Sequence, residues 1–348
     1  MPTRQATHAG SWYSSSRSEL SSQLDGWLSH VQPGAKNIGP LSSNTAPAQE
    51  LPVPGARVII APHAGYAYSG PAAARAYKAL DFSKAKRVFL LGPSHHFHLT
   101  RCALSQCDAY KTPLGDLAVD TATIAELHKS GLFDRMAKSV DEEEHSLEMH
   151  LPYIYKMLSL TFPSPSAFPP LIPILVGSTS ASTERRFGAL LAPYLADPSS
   201  VFIVSSDFCH WGTRFRYTYY EPPSSAPVSL KSGDRAPSSP PIHESIKAVD
   251  FRCMGACESG RHAEWLDVLE RTGNTVCGRH PIGVVMAAME TLRDEEGVGD
   301  DGGGKESSAG VKGEQENGKF RFVRYERSSE VRTVGESSVS YASAFAVL

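Results

Sequence analysis

Four short, unbroken apolar runs constrain this chain more than any other feature: Val58-Ile59-Ile60-Ala61, Val88-Phe89-Leu90-Leu91, Ile172 to Val176 and Val201 to Val204. Runs of this length without polar alternation fit strands covered on both faces, as in a parallel sheet held between two layers of helix. Helical patterns fall between them. Leu20, Leu24, Trp27, Leu28 and Val31 share one face of a helix that ends near Pro33. Pro71 to Leu80, Asp120 to Ser130, Ser182 to Leu195 and Pro281 to Arg293 read as further helices, with Pro71 in a first turn, Asp120 and Ser182 as N-caps, and Gly131 as a stop. Strands alternating with helices predict an α/β fold, a three-layer α/β/α sandwich on a mixed, mainly parallel sheet.

The spacing predicts a single domain over residues 1–348, interrupted by four flexible insertions at 33–55, 161–171, 222–243 and 294–319, each rich in Pro, Ser or Gly. The body shows no internal repeat. Lys and Arg number 34 against 37 Asp and Glu, with no basic run, which argues against a nucleic-acid partner. The longest apolar run, Ile282 to Met289, falls far short of a membrane span, and MPTRQATHAGSWY lacks the apolar centre of a signal peptide. The expected location is the cytoplasm, with the nucleus as a second compartment. Six cysteines are too sparse for a disulfide scaffold. Cys102 with Cys107, and Cys253 with Cys257, lack the C-x-x-C spacing of a structural zinc site.

Three of the apolar runs lead into turns that carry ionisable residues. These are Pro62-His63-Ala64-Gly65-Tyr66, Gly92-Pro93-Ser94-His95-His96 and Ser205-Ser206-Asp207-Phe208-Cys209-His210-Trp211. Ligands of open α/β sheets bind beyond the carboxyl ends of the strands, so the three turns can converge on one site. On the residues alone, His63 and His95 are either a ligand pair for one metal ion or two loop histidines. Asp207 and His210 are either an acid/base pair or a turn cap beside an ordinary histidine. A Ser-His-Asp hydrolase lacks its Gly-x-Ser-x-Gly elbow here. His96 and His98 read as surface residues or as neighbours of the ligand pair.

Within Glu144 to Pro152, four ionisable groups fall in the seven residues from Glu144 to His150, and His145 and Glu148, sharing a helical face, are either rim or acid/base residues or a solvated polar helix start. Cys277 precedes an apolar helix, and that helix's N-terminal dipole together with Arg279 marks it as the cysteine most expected to ionise. Phe215, Tyr217 and Tyr219 alternate like a strand face, with Arg214 and Arg216 opposite.

Six segments in order resemble the Memo family: Thr7 to Tyr13, Ala61 to Tyr66, Leu91 to His96, Glu144 to Pro152, Ser205 to Trp211 and Cys277 to Pro281. The likeness runs on to the Ser337-Ser338-Val339-Ser340-Tyr341-Ala342 tail. That family is in turn similar to class III extradiol dioxygenases, which implies an extradiol-dioxygenase-like fold. The resemblance implies metal ligands at His63, His95 and Cys277, and a catalytic-type His210 with Asp207 beside it. His145, Glu148, Arg279 and His280 would surround that set. A thiolate in place of the dioxygenase carboxylate implies iron or copper, with zinc as a third candidate, and argues against classical ring cleavage. The implied function is metal and redox homeostasis and signalling, with a non-haem metal-dependent oxidoreductase as the candidate activity. The alternative is a non-catalytic scaffold that binds a phosphopeptide, another peptide or a small anionic ligand in the same crevice. The sequence leaves the oligomeric state open.

Overall fold

The computed structural model describes residues 2–298 and 317–348. All four apolar runs are strands, each slightly longer than its run: Ala56–Ala61, Arg87–Pro93, Leu171–Val176 and Ser200–Ser205. They lie side by side and parallel, in the order Ala56–Ala61, Ser200–Ser205, Arg87–Pro93, Leu171–Val176. Antiparallel strands extend both sides, Ser338–Val347 beside Ala56–Ala61 and Cys102–Leu104 beside Leu171–Val176. Phe320–Arg327 pairs antiparallel with Ser338–Val347. The sheet is therefore mixed, with a parallel centre.

Alternate residues of the central strands feed two separate cores, because successive side chains on a strand point to opposite faces. Ile59, Val88, Leu90, Val201 and Ile203 pack with helices Arg17–Ser29, Tyr66–Ala79 and Leu151–Thr161. Val58, Ile60, Phe89, Leu91, Phe202 and Val204 pack with Ala181–Ala196, Ile242–Ser259, His262–Thr272 and Arg279–Val298. The three-layer α/β/α architecture follows. Each fully buried Val, Ile or Leu contributes about 1.5–3 kcal/mol of transfer free energy, which explains why the four runs carry no polar residue facing either core.

Several boundaries differ from the sequence reading. The helix expected from Pro71 begins at Tyr66, and Pro71 lies inside it. The N-cap Gly65 offers no side-chain hydrogen bond, so the proline was the only start signal visible in the sequence. Ser180 rather than Ser182 caps Ala181–Ala196, accepting from the Thr183 N–H, whereas Asp120 caps Thr121–Lys129 as expected. Residues 215–219 are not one strand: Thr213–Phe215 is a 3-10 turn, Arg216 takes a left-handed conformation (φ 56°), and only Tyr219–Tyr220 is extended.

Helix Ile242–Ser259 was hidden by buried polar residues, His243, Asp250 and Glu258, which break its apolar period. Of the four inserted spans, 33–55 is pinned to the body where Glu258 accepts the Leu41 N–H (2.8 Å) and the Ser42 hydroxyl (2.5 Å). Span 222–243 contributes Val228–Ser229, which pairs with Tyr219–Tyr220. Residues 299–316 of the fourth span lie outside the described residues. Among the described residues, no helix is long and apolar enough to cross a membrane.

Candidate metal centre

Parallel strands present their carboxyl ends together, and here three adjacent ones deliver His63, His95 and Asp207 to one cleft. The cavity measures about 710 Å³, and its lining includes Trp12, His63, His95, His145, Asp207 and His210. Cys277 arrives from the turn before helix Arg279–Val298. That turn sits tightly on a strand end: a Cβ on Gly278 would strike the Ser206 side chain and the Ser205 carbonyl, so glycine is required for the approach. The Gly278 N–H donates to Ser206 Oγ (3.1 Å), fixing the turn in place.

The ligand-type atoms of His63, His95 and Cys277 all lie within 4.8 Å of one another. Cys277 Sγ is 3.2 Å from His63 Nε2 and accepts the Asp207 N–H at 3.1 Å. The hydrogen bonds also set which ring nitrogens are free. Ser205 Oγ spends its proton on the Ser146 carbonyl (2.8 Å), so at 2.6 Å it accepts from His63 Nδ1–H. Glu144 Oε1 accepts from His95 Nδ1–H (2.8 Å), and the carbonyls of Phe208 (2.9 Å) and Thr275 (3.2 Å) accept from His210 Nδ1–H. These bonds fix a proton on Nδ1 of each ring, so the neutral form of each carries its lone pair on Nε2.

Electrostatics favour the neutral imidazole at His63 and His145. Burial, then the neighbouring His95, His145, His150 and His210, holds His63 well below the ordinary histidine range. Burial and His95 push His145 down to about 3. Its ring stacks on His95 at 4.3 Å on one side and lies 4.4 Å from the Trp12 ring on the other. Burial raises the Glu144 carboxyl, but the His95 ring and backbone N–H and the Ser146 N–H outweigh it and hold the group at about 2.

Four expectations are corrected. Asp207 does not orient the His210 ring: its Oδ1 accepts the backbone N–H of His63 (2.8 Å) and Ala64 (3.3 Å), bracing the neighbouring turn. Cys277 is not a low-pKa thiol in the metal-free protein, because burial and the Asp207 carboxylate push it well up; the Arg279 charge acts instead on Cys253, where it only partly offsets the burial that raises that thiol to about 12. His280 turns away to Glu184 Oε1 (2.6 Å), sharing that carboxylate with His262 (2.6 Å). Glu148 is fully buried and faces the N-terminal arm, holding Arg4 (2.7 Å), His8 (2.9 Å) and Tyr13 (2.7 Å).

His145 does line the cleft. Sequence reasoning missed Glu144 and Ser205 as partners of the cleft histidines. Glu144 meets His95 across 49 residues and Ser205 meets His63 across 142, and no local spacing reports such contacts.

The family described as Memo-like protein matches residues 4–345. Protein MEMO1 of Xenopus tropicalis is 44% identical over 339 residues, covering 97% of this chain and 95% of that protein. Protein MEMO1 of Homo sapiens is 44% identical over 342 residues, with the same shares covered. Protein memo-1 homolog of Caenorhabditis elegans is 38% identical over 341 residues, covering 98% of this chain and 81% of that protein. The crystal structure of an uncharacterised Escherichia coli K12 protein has a TM-score of 0.38 and 14% identity, covering 76% of this chain and 88% of that chain.

Proposed function

The chain belongs to the Memo-like family, and on that premise we propose that it binds iron or copper, with zinc as a third candidate, through His63, His95 and Cys277. The observation that carries this reading is the shared orientation of the histidines: Ser205 and Glu144 occupy Nδ1 of His63 and His95, leaving their Nε2 atoms as the ligand atoms near one thiol, with His63 Nε2 already in hydrogen-bond contact with it at 3.2 Å. Nitrogen and sulfur donors bound at about 2.0–2.3 Å in a tetrahedral array stand on the order of 3.5 Å apart. The 3.2 Å between Cys277 Sγ and His63 Nε2 is near that span. Two imidazoles and a thiolate are soft enough for Cu(I), Fe(II) or zinc.

A bound iron or copper would supply one-electron redox chemistry. The remaining steps belong to the chain. Cys277 must give up its proton to become a ligand, so loading at neutral pH releases a proton. His210 Nε2 faces the cavity as a proton acceptor, its ring held by two carbonyls rather than by a carboxylate. Asp207 keeps the His63 turn in register. The proposed activity is that of a non-haem metal-dependent oxidoreductase, and the proposed cellular role lies in metal and redox homeostasis and signalling.

A second reading, a scaffold holding a phosphopeptide or small anion, draws on other residues that line the same cavity. Ser338 Oγ is buried without a hydrogen-bond partner among the described residues, and the Arg214 guanidinium lies 4.4 Å from the Phe215 ring centre. Elemental mass spectrometry on untagged protein reloaded anaerobically with Fe(II), Cu(I) or zinc separates the two. Near-stoichiometric metal that both His63→Ala and Cys277→Ser abolish is the expected result. No uptake by wild type, or full retention by both variants, would overturn the metal assignment and favour the scaffold.

A further inference from the structure

We propose that Glu144 is the positioning residue of this centre, the group that fixes His95 as an Nε2 ligand; the inference rests on the metal-binding reading above. Glu144 grips both the ring and the backbone of His95. Oε1 accepts from Nδ1–H at 2.8 Å, and Oε2 accepts from the His95 N–H at 2.7 Å. Oε1 also accepts the Ser146 N–H at 2.9 Å, so the carboxylate caps the one-turn helix His145–Glu148. Arg4 locks the same residue from behind, donating to the Glu144 carbonyl at 2.8 Å. The His95 ring is thus held by a group that is itself held at three points.

Charge gives a second, independent argument. Glu144 is almost fully buried, and the basic side chains nearest its carboxylate among the described residues are the imidazoles of His95 (2.8 Å) and His145 (3.6 Å), with neither Lys nor Arg on it. Its negative charge is met by hydrogen bonds alone, from the His95 ring and N–H and from the Ser146 N–H. A metal cation on His95 Nε2 would compensate it through the ring, and the carboxylate in turn would strengthen that nitrogen as a donor. Glu148, three residues on from His145, differs in the relevant respect: it pairs directly with Arg4. His63 has only the neutral Ser205 hydroxyl in the corresponding place, so Glu144 is the anionic orienting group of the histidine pair.

The test is an anaerobic Co(II) titration of the full chain followed by visible absorption, with wild type beside Glu144→Gln, Glu144→Asp and Glu148→Gln, and urea unfolding of each. Glu144→Gln keeps the side-chain size but removes the charge and one acceptor. It is expected to bind Co(II) about 10- to 100-fold more weakly, with shifted d–d bands and a retained thiolate charge-transfer band. Glu144→Asp keeps the charge with a shorter reach and is expected to fall between the two. Glu148→Gln should lose stability while keeping Co(II) affinity within about twofold, since it holds the N-terminal arm rather than a ligand.

Affinity and spectrum of Glu144→Gln within about twofold of wild type would overturn the proposal, and so would an equal loss in Glu148→Gln. If Glu144→Gln does not fold, the same reading is taken on Glu144→Asp. A wild type that binds no Co(II) would instead overturn the metal-binding reading itself.

Discussion

Two places in this molecule set a pair of imidazoles beside one buried glutamate, and they end in different chemistry. In the cleft, Glu144 takes His95 Nδ1 at 2.8 Å and lies 3.6 Å from His145 Nδ1. On the other side of the sheet, Glu184 takes His262 Nε2 and His280 Nδ1, each at 2.6 Å. The residue types are the same. In the cleft, the carboxylate uses one nitrogen of His95 and leaves the other facing a cavity. Around Glu184 the cluster ties three elements together, helices Ala181–Ala196, His262–Thr272 and Arg279–Val298, and none of the three residues lines the cleft. Ligand competence therefore comes from a free lone pair with space in front of it, and the local count of His and Glu does not report it.

The contrast can be broken first at Glu184. Removing a buried acceptor shared by two imidazoles and the Thr179 hydroxyl (3.2 Å) strands several polar groups at once. Glu184→Ala is expected to cost roughly 2–4 kcal/mol in urea unfolding while leaving metal stoichiometry unchanged. Lost metal binding in a folded Glu184→Ala protein would mean that the two clusters are coupled.

Acid sharpens the comparison next. His150 lies behind the cleft, its Nδ1 2.8 Å from the Tyr77 hydroxyl, and burial holds it down to about 3 from its ordinary 6.5. A histidine depressed in the folded state binds fewer protons there than in the unfolded chain. Its contribution is therefore complete above about pH 6.5 and is lost progressively as pH falls toward 3. Replacing it with Gln should flatten the pH dependence of stability between pH 6.5 and 5, by about 0.7 kcal/mol per unit at the upper end and approaching about 1.4 at the lower. An unchanged slope would show that His150 is not held neutral.

The smallest effect is expected at Trp12, which covers His145 from the N-terminal arm while remaining about one-third exposed (37%). Trp12→Ala should cost about 0.5–1.5 kcal/mol and leave metal stoichiometry intact. A loss of metal would give the arm a direct part in the centre.

The strands and the strand-end turns were legible because a continuous apolar run has few places to go except the middle of a sheet. That logic lets the turns carrying His63, His95, Asp207 and His210 converge on one site, and all four residues line one cleft. What stayed hidden depended on rotation and distance. Cys277 and His280 are three apart, but the helix begins between them at Arg279, and the turn sends the thiol to His63 and the imidazole to Glu184. The charged wall of Arg4, Asp141, Glu144 and Glu148 joins residues up to 144 positions apart and leaves no periodic trace. Tyr66 as a helix start was masked by Pro71, and helix Ile242–Ser259 by the polar side chains it buries.

The most direct test of the central claim is the zinc K-edge X-ray absorption spectrum of stoichiometrically loaded protein, wild type beside Cys277→Ser. The account predicts one sulfur neighbour at about 2.3 Å with nitrogen neighbours at about 2.0–2.1 Å, and loss of the sulfur shell in the variant. A wild-type spectrum with only nitrogen and oxygen neighbours would contradict it and remove Cys277 from the centre.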